Sequence, residues 1–221
     1  MLFRILHDEA SGELTYLLAD ADAREAVLVD PHSRDLPVLQ ALLEERGLRL
    51  RWVLRTHDHD GLFPGEMARL ARLDAPLVQG RACDGVQRPA DGAELSWGGE
   101  FLRVIETPGH TAHCLSFVWR DRVFCGGLLA VDACPSQPVP ALPAALWDSV
   151  TQRIFTLPDE TLLFAGHSQH ARAVSTVLEQ RRWHPHCAGQ TRDGFLAKMA
   201  RVAPSATTTT QPLSLIHISE P

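Results

Sequence analysis

Two histidines one residue apart, His57 and His59, sit in the stretch Arg55-Thr56-His57-Asp58-His59-Asp60-Gly61-Leu62-Phe63-Pro64-Gly65. The apolar run Trp52-Val53-Leu54 before them reads as the end of a buried strand, so both imidazoles fall on the loop that follows it. Imidazoles at i and i+2 on an extended or turning segment can converge on one metal ion. Strand ends are also where α/β proteins commonly carry chemistry, because loops there vary without unfolding the sheet. A polar turn that happens to hold two histidines is the plain alternative. Three further places combine histidine or unusual glycine with a strand end. They are His110 in Thr107-Pro108-Gly109-His110-Thr111, the run Cys125-Gly126-Gly127, and His167 in Ala165-Gly166-His167-Ser168.

The elements that must bring these residues together follow from hydrophobic periodicity. Residues 14–18 and 26–30 read as paired strands around the polar turn 20–23, so the chain opens as a hairpin. Pro31 stops the second strand. Ser33 then begins a helix with Leu36, Leu39, Leu42 and Leu43 on one face, closed by Gly47. A strand over 50–54 delivers the histidine loop, and a short amphipathic helix over 66–73 with a brief strand at 76–78 completes a β-α-β-α-β unit. From Asp91 the pattern becomes a β meander over 93–95, 101–107, 114–119 and 122–125, the last two joined by an Arg120-Asp121 turn. Prolines at 135, 138, 140 and 143 mark a loop before a helix over 144–155, a strand over 161–164 and a helix over 171–182. The order strands, helix, strand, helix thus occurs twice. The expectation is an α/β fold of αββα type, two mixed β-sheets with helices on their outer faces, forming one domain over 1–204. Residues 205–221 include a threonine run at 207–210 and no periodicity after it, so they are expected to be a disordered tail that need not be native sequence.

Composition narrows the function classes. At 221 residues and 45% hydrophobic content the chain can bury a proper core without a second domain. A formal charge of -6 with scattered Lys and Arg argues against a nucleic-acid binder, so the expected partner is a small molecule. The five cysteines, Cys83, Cys114, Cys125, Cys134 and Cys187, are odd in number, widely spaced and without a C-x-x-C pair. They read as reduced thiols in a cytoplasmic protein. No window has membrane-spanning length and residues 1–8 carry no leader pattern, so neither membrane insertion nor secretion is expected. Nothing here fixes the oligomeric state, and a homodimer stays open.

In order and in place, the histidine and glycine segments resemble the metallo-β-lactamase superfamily, whose pattern runs T-H-x-H-x-D-H, G-H-T, T-G-D and a late G-H or A-H. The resemblance covers most of residues 2–203. Its closest branch is the persulfide dioxygenases, with glutathione-thioester hydrolases of the glyoxalase II type next. Tyr16-Leu17-Leu18-Ala19, Glu25-Ala26-Val27-Leu28-Val29-Asp30-Pro31, Leu157-Pro158-Asp159-Glu160-Thr161-Leu162 and Val174-Ser175-Thr176 are similar to dioxygenase segments.

The resemblance implies the metallo-β-lactamase sandwich and metal ligands at His57, His59, His110 and His167. It also implies one metal ion, iron or zinc, and a small thiol or thioester substrate that can be linked to glutathione. In the dioxygenases, ferrous iron on the histidines matching His57 and His110, with a carboxylate, oxidises persulfide sulfur to sulfite with O₂. In the hydrolases, His57, His59 and His110 would form the first metal site, where zinc-bound hydroxide attacks a thioester carbonyl. The chain departs from the pattern at Gly61 and Leu62, which replace Asp and His, and at Gly127, which replaces the Asp of T-G-D. An anionic ligand is therefore missing in either scheme, with Asp58 and Asp60 the local carboxylates that could stand in. Ser168-Gln169, Pro135-Ser136 and His184-Pro185-His186 replace the usual D-Y, G-R and N-P-R. A third reading is a fold that binds a thiol or a partner without turnover.

Other residues have plainer readings. His167 is either a metal ligand or an imidazole hydrogen-bonded at the cavity edge. His113, His170, His184 and His186 read as surface or supporting residues, Cys125 as an inert buried thiol, and Cys134 as inert or reactive. Trp147 and Phe155 read as core. Arg172, Arg181 and Arg182 follow the late histidine and read as a solvated helix face, with an acidic substrate as the alternative.

Overall fold

The computed structural model describes residues 1–58, 65–129, 134, 139–169 and 172–202. His59, Asp60, Gly61, Leu62, Pro135, Ser136, His170 and the tail at 205–221 lie outside the described residues, as do the side chains of Ser168, Gln169 and Arg172.

Residue alternation in the first strands builds the layers. The first sheet runs in the order β1 (Leu2–His7), β2 (Leu14–Asp20), β3 (Glu25–Val29), β4 (Arg49–Leu54), β5 (Leu77–Val78) and β6 (Val86–Gln87). Strands β1 to β3 pair antiparallel and β3 to β6 parallel, with α1 (Leu36–Glu45) and α2 (Glu66–Leu70) as crossovers. Along β2, Leu14, Tyr16 and Leu18 point into the core shared with the second sheet, while Leu17 and Ala19 point the other way and pack with Leu36, Leu39 and Leu43 of α1. A strand buried on both faces reads as a continuous apolar run, as Tyr16 to Ala19 does.

The second sheet is a meander with one crossover. It contains β7 (Glu94–Trp97), β8 (Glu100–Glu106), β9 (Leu115–Trp119), β10 (Arg122–Gly126), β11 (Leu162–Gln169) and β12 (Arg172–Thr176), in the order β12-β11-β10-β9-β8-β7. Strands β10 and β11 pair in parallel, because α3 (Pro143–Ser149), prolonged by a π-helical turn over Val150–Ile154, carries the chain back between them. Trp97, Val104, Phe117, Trp119, Phe124 and Phe164 meet the first sheet. On the opposite face Val123, Cys125 and Leu163 pack under Leu146, Val150, Ile154 and Phe155, and under Val177 of α4 (Val177–Trp183) and Phe195 and Met199 of α5 (Arg192–Val202). The molecule is the expected αββα sandwich, and Phe155 and, in part, Trp147 are core.

The structure corrects one expectation and decides between the alternatives of another. The helix expected over 171–182 is strand β12 followed by α4. Val174 and Thr176 are β-branched and pair with β11, and Thr176 then caps the helix by accepting a hydrogen bond from the Glu179 amide at 3.1 Å. Of the two readings of His184 and His186, surface or supporting, the second holds: they are buried, at 4% and 8% exposure, and the His184 Nε2 lies 3.0 Å from the Leu129 carbonyl. Strands β1 and β6 and helix α5 carry no sequence expectation at all.

Candidate metal centre

The histidines of the centre lie on or beside core strands, and close backbone contacts fix the loop that carries His110. His57 follows β4 of the first sheet, His110 lies between β8 and β9, and His167 lies in β11, so both sheets contribute. The His110 loop is fixed on its own backbone: Gly109 N donates to Thr111 O at 2.9 Å, and Ala141 N to His110 O at 3.0 Å. A Cβ on Gly109 would lie 2.3 Å from the Leu146 Cα, so the loop can approach α3 only because residue 109 has none. Tyr16 Oη donates to the Ala165 carbonyl at 2.5 Å, which ties β2 to β11 two residues before His167. The Glu13 backbone bridges to His167 itself.

These elements bring together His57, His110 and His167, whose ligand nitrogens all lie within 4.8 Å of one another. His57 Nε2 is 3.4 Å from His167 Nε2, and the His57 ring meets the His110 ring edge-on with centroids 5.1 Å apart. His110 and His167 are 3% and 5% exposed. Burial pushes the His167 pKa below the usual imidazole value, with the Glu13 carboxylate opposing, so the neutral form that can ligate is favoured. His167 is thus one of the three imidazoles of the cluster, and its Nε2 is within hydrogen-bond distance of His57 Nε2 at the edge of a small cavity.

Sequence reasoning missed the groups behind His57. Thr56 Oγ1 and the Thr56 amide both donate to the Asp30 carboxylate, at 2.7 Å each. A hydroxyl has one proton to give, so Thr56 Oγ1, 2.8 Å from His57 Nδ1, accepts from that ring nitrogen. The chain Asp30–Thr56–His57 thus leaves the lone pair on Nε2, facing the other imidazoles. Burial raises the pKa of the Asp30 carboxyl, and the two hydrogen bonds from Thr56 oppose that. The available signal was Thr56 beside His57 together with Asp30 at the end of a strand.

Glycines make room for the cluster. Gly126 has φ +54°, and a Cβ there would lie 2.1 Å from Thr56 Oγ1 and 3.0 Å from His57 Nδ1. At Gly127, a Cβ would lie 2.3 to 2.7 Å from three atoms of the His110 ring, so that imidazole occupies the room a carboxylate side chain would need. Asp58 does not join the cluster; its carboxylate faces Arg81 at 3.8 Å. Cys125 is buried and its thiol is pushed up to about 12, the state of an inert thiol, and Cys134 is also buried. Arg181 is tied to Asp159 and the Phe155 carbonyl, and Arg182 is exposed on the same helix.

The donor set fits one metal ion. With metal–nitrogen bonds of about 2.0–2.1 Å, two ligands at a tetrahedral angle lie about 3.3–3.4 Å apart, the separation found between His57 and His167. Beside His57 a cavity of about 120 Å³ opens, and behind the imidazoles Glu13, Asp30, His32 and Arg55 line a space of about 10 Å³. No helix among the described residues is long and apolar enough to cross a membrane.

No family model matches the chain. It is 33% identical over 198 residues to the mitochondrial persulfide dioxygenase ETHE1 of Homo sapiens, a match covering 84% of the chain and 75% of the relative. It is 32% identical over 208 residues to a hydroxyacylglutathione hydrolase of Halorhodospira halophila, covering 90% and 76%. The crystal structure of ETHE1 from Myxococcus xanthus superposes with a TM-score of 0.82 at 34% identity, covering 93% of each chain. With this sandwich and these strand-end histidines, the chain belongs to the metal-binding metallo-β-lactamase-fold superfamily, in its persulfide dioxygenase and glyoxalase II-like branch.

Proposed function

We propose that the protein is a persulfide dioxygenase with a mononuclear iron centre held by His57, His110 and His167, and with His59 as a further candidate ligand. The observation that carries this reading is the convergence of three imidazole nitrogens within 4.8 Å beside an open cavity. Persulfide, O₂ and water give thiol, sulfite and two protons; the outer sulfur is oxidised, O₂ is reduced and the sulfur–sulfur bond breaks. Ferrous iron, when bound, supplies adjacent open positions for the sulfur and O₂. His167 takes the place of the carboxylate missing at Gly127. Three neutral donors leave the ion's full charge uncompensated, which favours an anionic persulfide over a neutral thiol. Thr56 and Asp30 hold His57 in one tautomer and one orientation. Five widely spaced cysteines without a C-x-x-C pair suit a reducing compartment, which supports a cytoplasmic location.

The test is metal content by mass spectrometry after purification without oxygen, followed by oxygen uptake with glutathione persulfide. About one equivalent of iron is expected, lost in His57→Ala, His110→Ala and His167→Ala. One equivalent of zinc in place of iron would replace this reading with thioester hydrolysis. Protein that holds neither metal above the level of the variants would be a non-catalytic member of its family.

A further inference from the structure

The three imidazoles of the centre bring no charge to a bound ion, and the position of the superfamily's Asp is Gly127. Charge is nevertheless close at hand. His57 and His167 share the walls of the space of about 10 Å³ with Glu13, Asp30, His32 and Arg55. Asp30 already accepts two hydrogen bonds from Thr56, and the Arg55 charge bears on Asp30 and Glu66. Glu13 is the carboxylate that pairs with the third imidazole.

Glu13 stands directly opposite His167 across an isolated antiparallel bridge. Residues opposed in this way carry their side chains on the same face, with Cβ atoms about 4.5–5.5 Å apart. Glu13 is 7% exposed, and its charge is felt at His167, where it works against the effect of burial. Its Oε2 accepts from Arg34 Nη2 at 2.5 Å and lies 2.9 Å from Ser11 Oγ and 3.7 Å from His32 Nε2. Its Oε1 accepts no hydrogen bond from a described residue. Arg34 does not cancel this charge, because the same guanidinium also faces Asp8 at 3.0 Å and Asp35 at 3.8 Å. One cation among three carboxylates leaves the group net negative. The Arg34 side chain is also 41% exposed against 8% for Glu13, so solvent and salt screen the cation more than the carboxylate.

We infer that Glu13 supplies from behind His167 the negative charge that the bonded donors of the centre lack, as a positioning residue that takes no coordination position. The bridge holds His167 in place, and the carboxylate on the same face stabilises a bound ion in proportion to that ion's charge. A ferric ion therefore gains more than a ferrous one. The inference rests on the three-histidine centre and not on the chemistry of persulfide oxidation.

The test uses the full-length protein and measures metal affinity and reduction potential. Glu13→Gln keeps the size of the side chain and removes its charge. It should weaken zinc binding about tenfold in competition with a chelator. It should also lower the preference for ferric over ferrous iron about tenfold, which raises the midpoint potential of the bound iron by ~59 mV for one electron. Glu13→Asp keeps the charge and should return most of both shifts. Asp8→Asn touches the same guanidinium from a residue outside the cavity wall, and should change either affinity by less than twofold. A merely structural Glu13 would make Glu13→Gln melt lower and leave its iron at the parent's potential. That result, or an Asp8→Asn shift as large as that of Glu13→Gln, would overturn the inference and leave the dioxygenase reading standing. In protein that accepts zinc alone the dioxygenase reading falls, and the zinc shift decides this inference by itself. Protein that binds neither metal would overturn both.

Discussion

At the scale of single residues, the centre depends on a side chain that is not itself a ligand. Thr56 donates to Asp30 and accepts from His57, so one hydroxyl both satisfies a buried carboxylate and fixes a tautomer. Thr56→Val keeps the shape and removes both roles. It should destabilise the fold by about 1–3 kcal/mol, because Asp30 is left with a lost partner. It should also weaken metal binding by about 10- to 100-fold, the usual effect of losing a partner of a ligating histidine. Urea unfolding and competition against a metallochromic chelator would measure the two effects, and Thr56→Ser should restore both. Metal affinity within twofold of the parent in the valine variant would remove Thr56 from the account. The histidines of the centre were legible in the sequence because each stands at the end of an apolar run. That His57 and His167 share a site came from the resemblance alone, because the two are 110 residues apart and stand on different sheets. The filling of the Gly127 site by the His110 ring was equally hidden, since sequence shows a missing carboxylate but not what takes its space.

At the scale of elements, glycine and one acidic side chain set how closely strands and helices approach the centre. Gly126→Ala combines a left-handed backbone with a Cβ 2.1 Å from Thr56 Oγ1, whereas Gly85→Ala has φ +74° and nothing within 4 Å. The first should therefore cost at least about 2 kcal/mol and impair metal binding, and the second about 1 kcal/mol with metal binding intact. Equal losses in both variants would mean that only backbone conformation matters. On the other side, Glu66 at the start of α2 accepts from the Ser33 amide and hydroxyl at 2.6 Å each. Burial opposes its ionisation most strongly, but the Ser33 hydrogen bonds and the charges of Arg55 and His32 together hold its pKa below the usual value of 4.5. Its contribution is thus full above about pH 4.5 and lost as pH falls through the lower folded value. Glu66→Gln should cost about 1–3 kcal/mol at neutral pH, and the difference from the parent should shrink in acid unfolding below that point. A difference constant with pH would show that the charge is not what holds α2. Most element types were legible from periodicity, but the 172–183 segment was not. There an edge strand and a helix share one apolar stretch, and the boundary lies in the spacing of Thr176 and Glu179.

At the scale of the whole molecule, a metal bound at the centre would also act as a clasp between the two sheets. His57 comes from the first sheet, and His110 and His167 from the second. Without metal, the neighbouring contacts between the sheets include the apolar core, the Tyr16–Ala165 hydrogen bond and the Leu115–Thr56 backbone bond of 2.7 Å. An ion that binds only the folded chain stabilises it by about 2.7 kcal/mol at one hundred times its dissociation constant. For a domain of this size that corresponds to a rise in melting temperature of roughly 5–10 °C. Metal-loaded protein should therefore melt that much higher than protein stripped by a chelator, and re-addition of metal should restore the difference. The His167→Ala variant decides between two architectures. If His167 stands in for the missing carboxylate, the variant loses most of the metal-dependent rise, as His57→Ala and His110→Ala do. If the ion is held on the His57 loop and His110 alone, the rise survives in His167→Ala, and the third ligand must be sought on that loop. Differential scanning calorimetry of the three variants, with and without metal, separates the two outcomes without any assay of turnover.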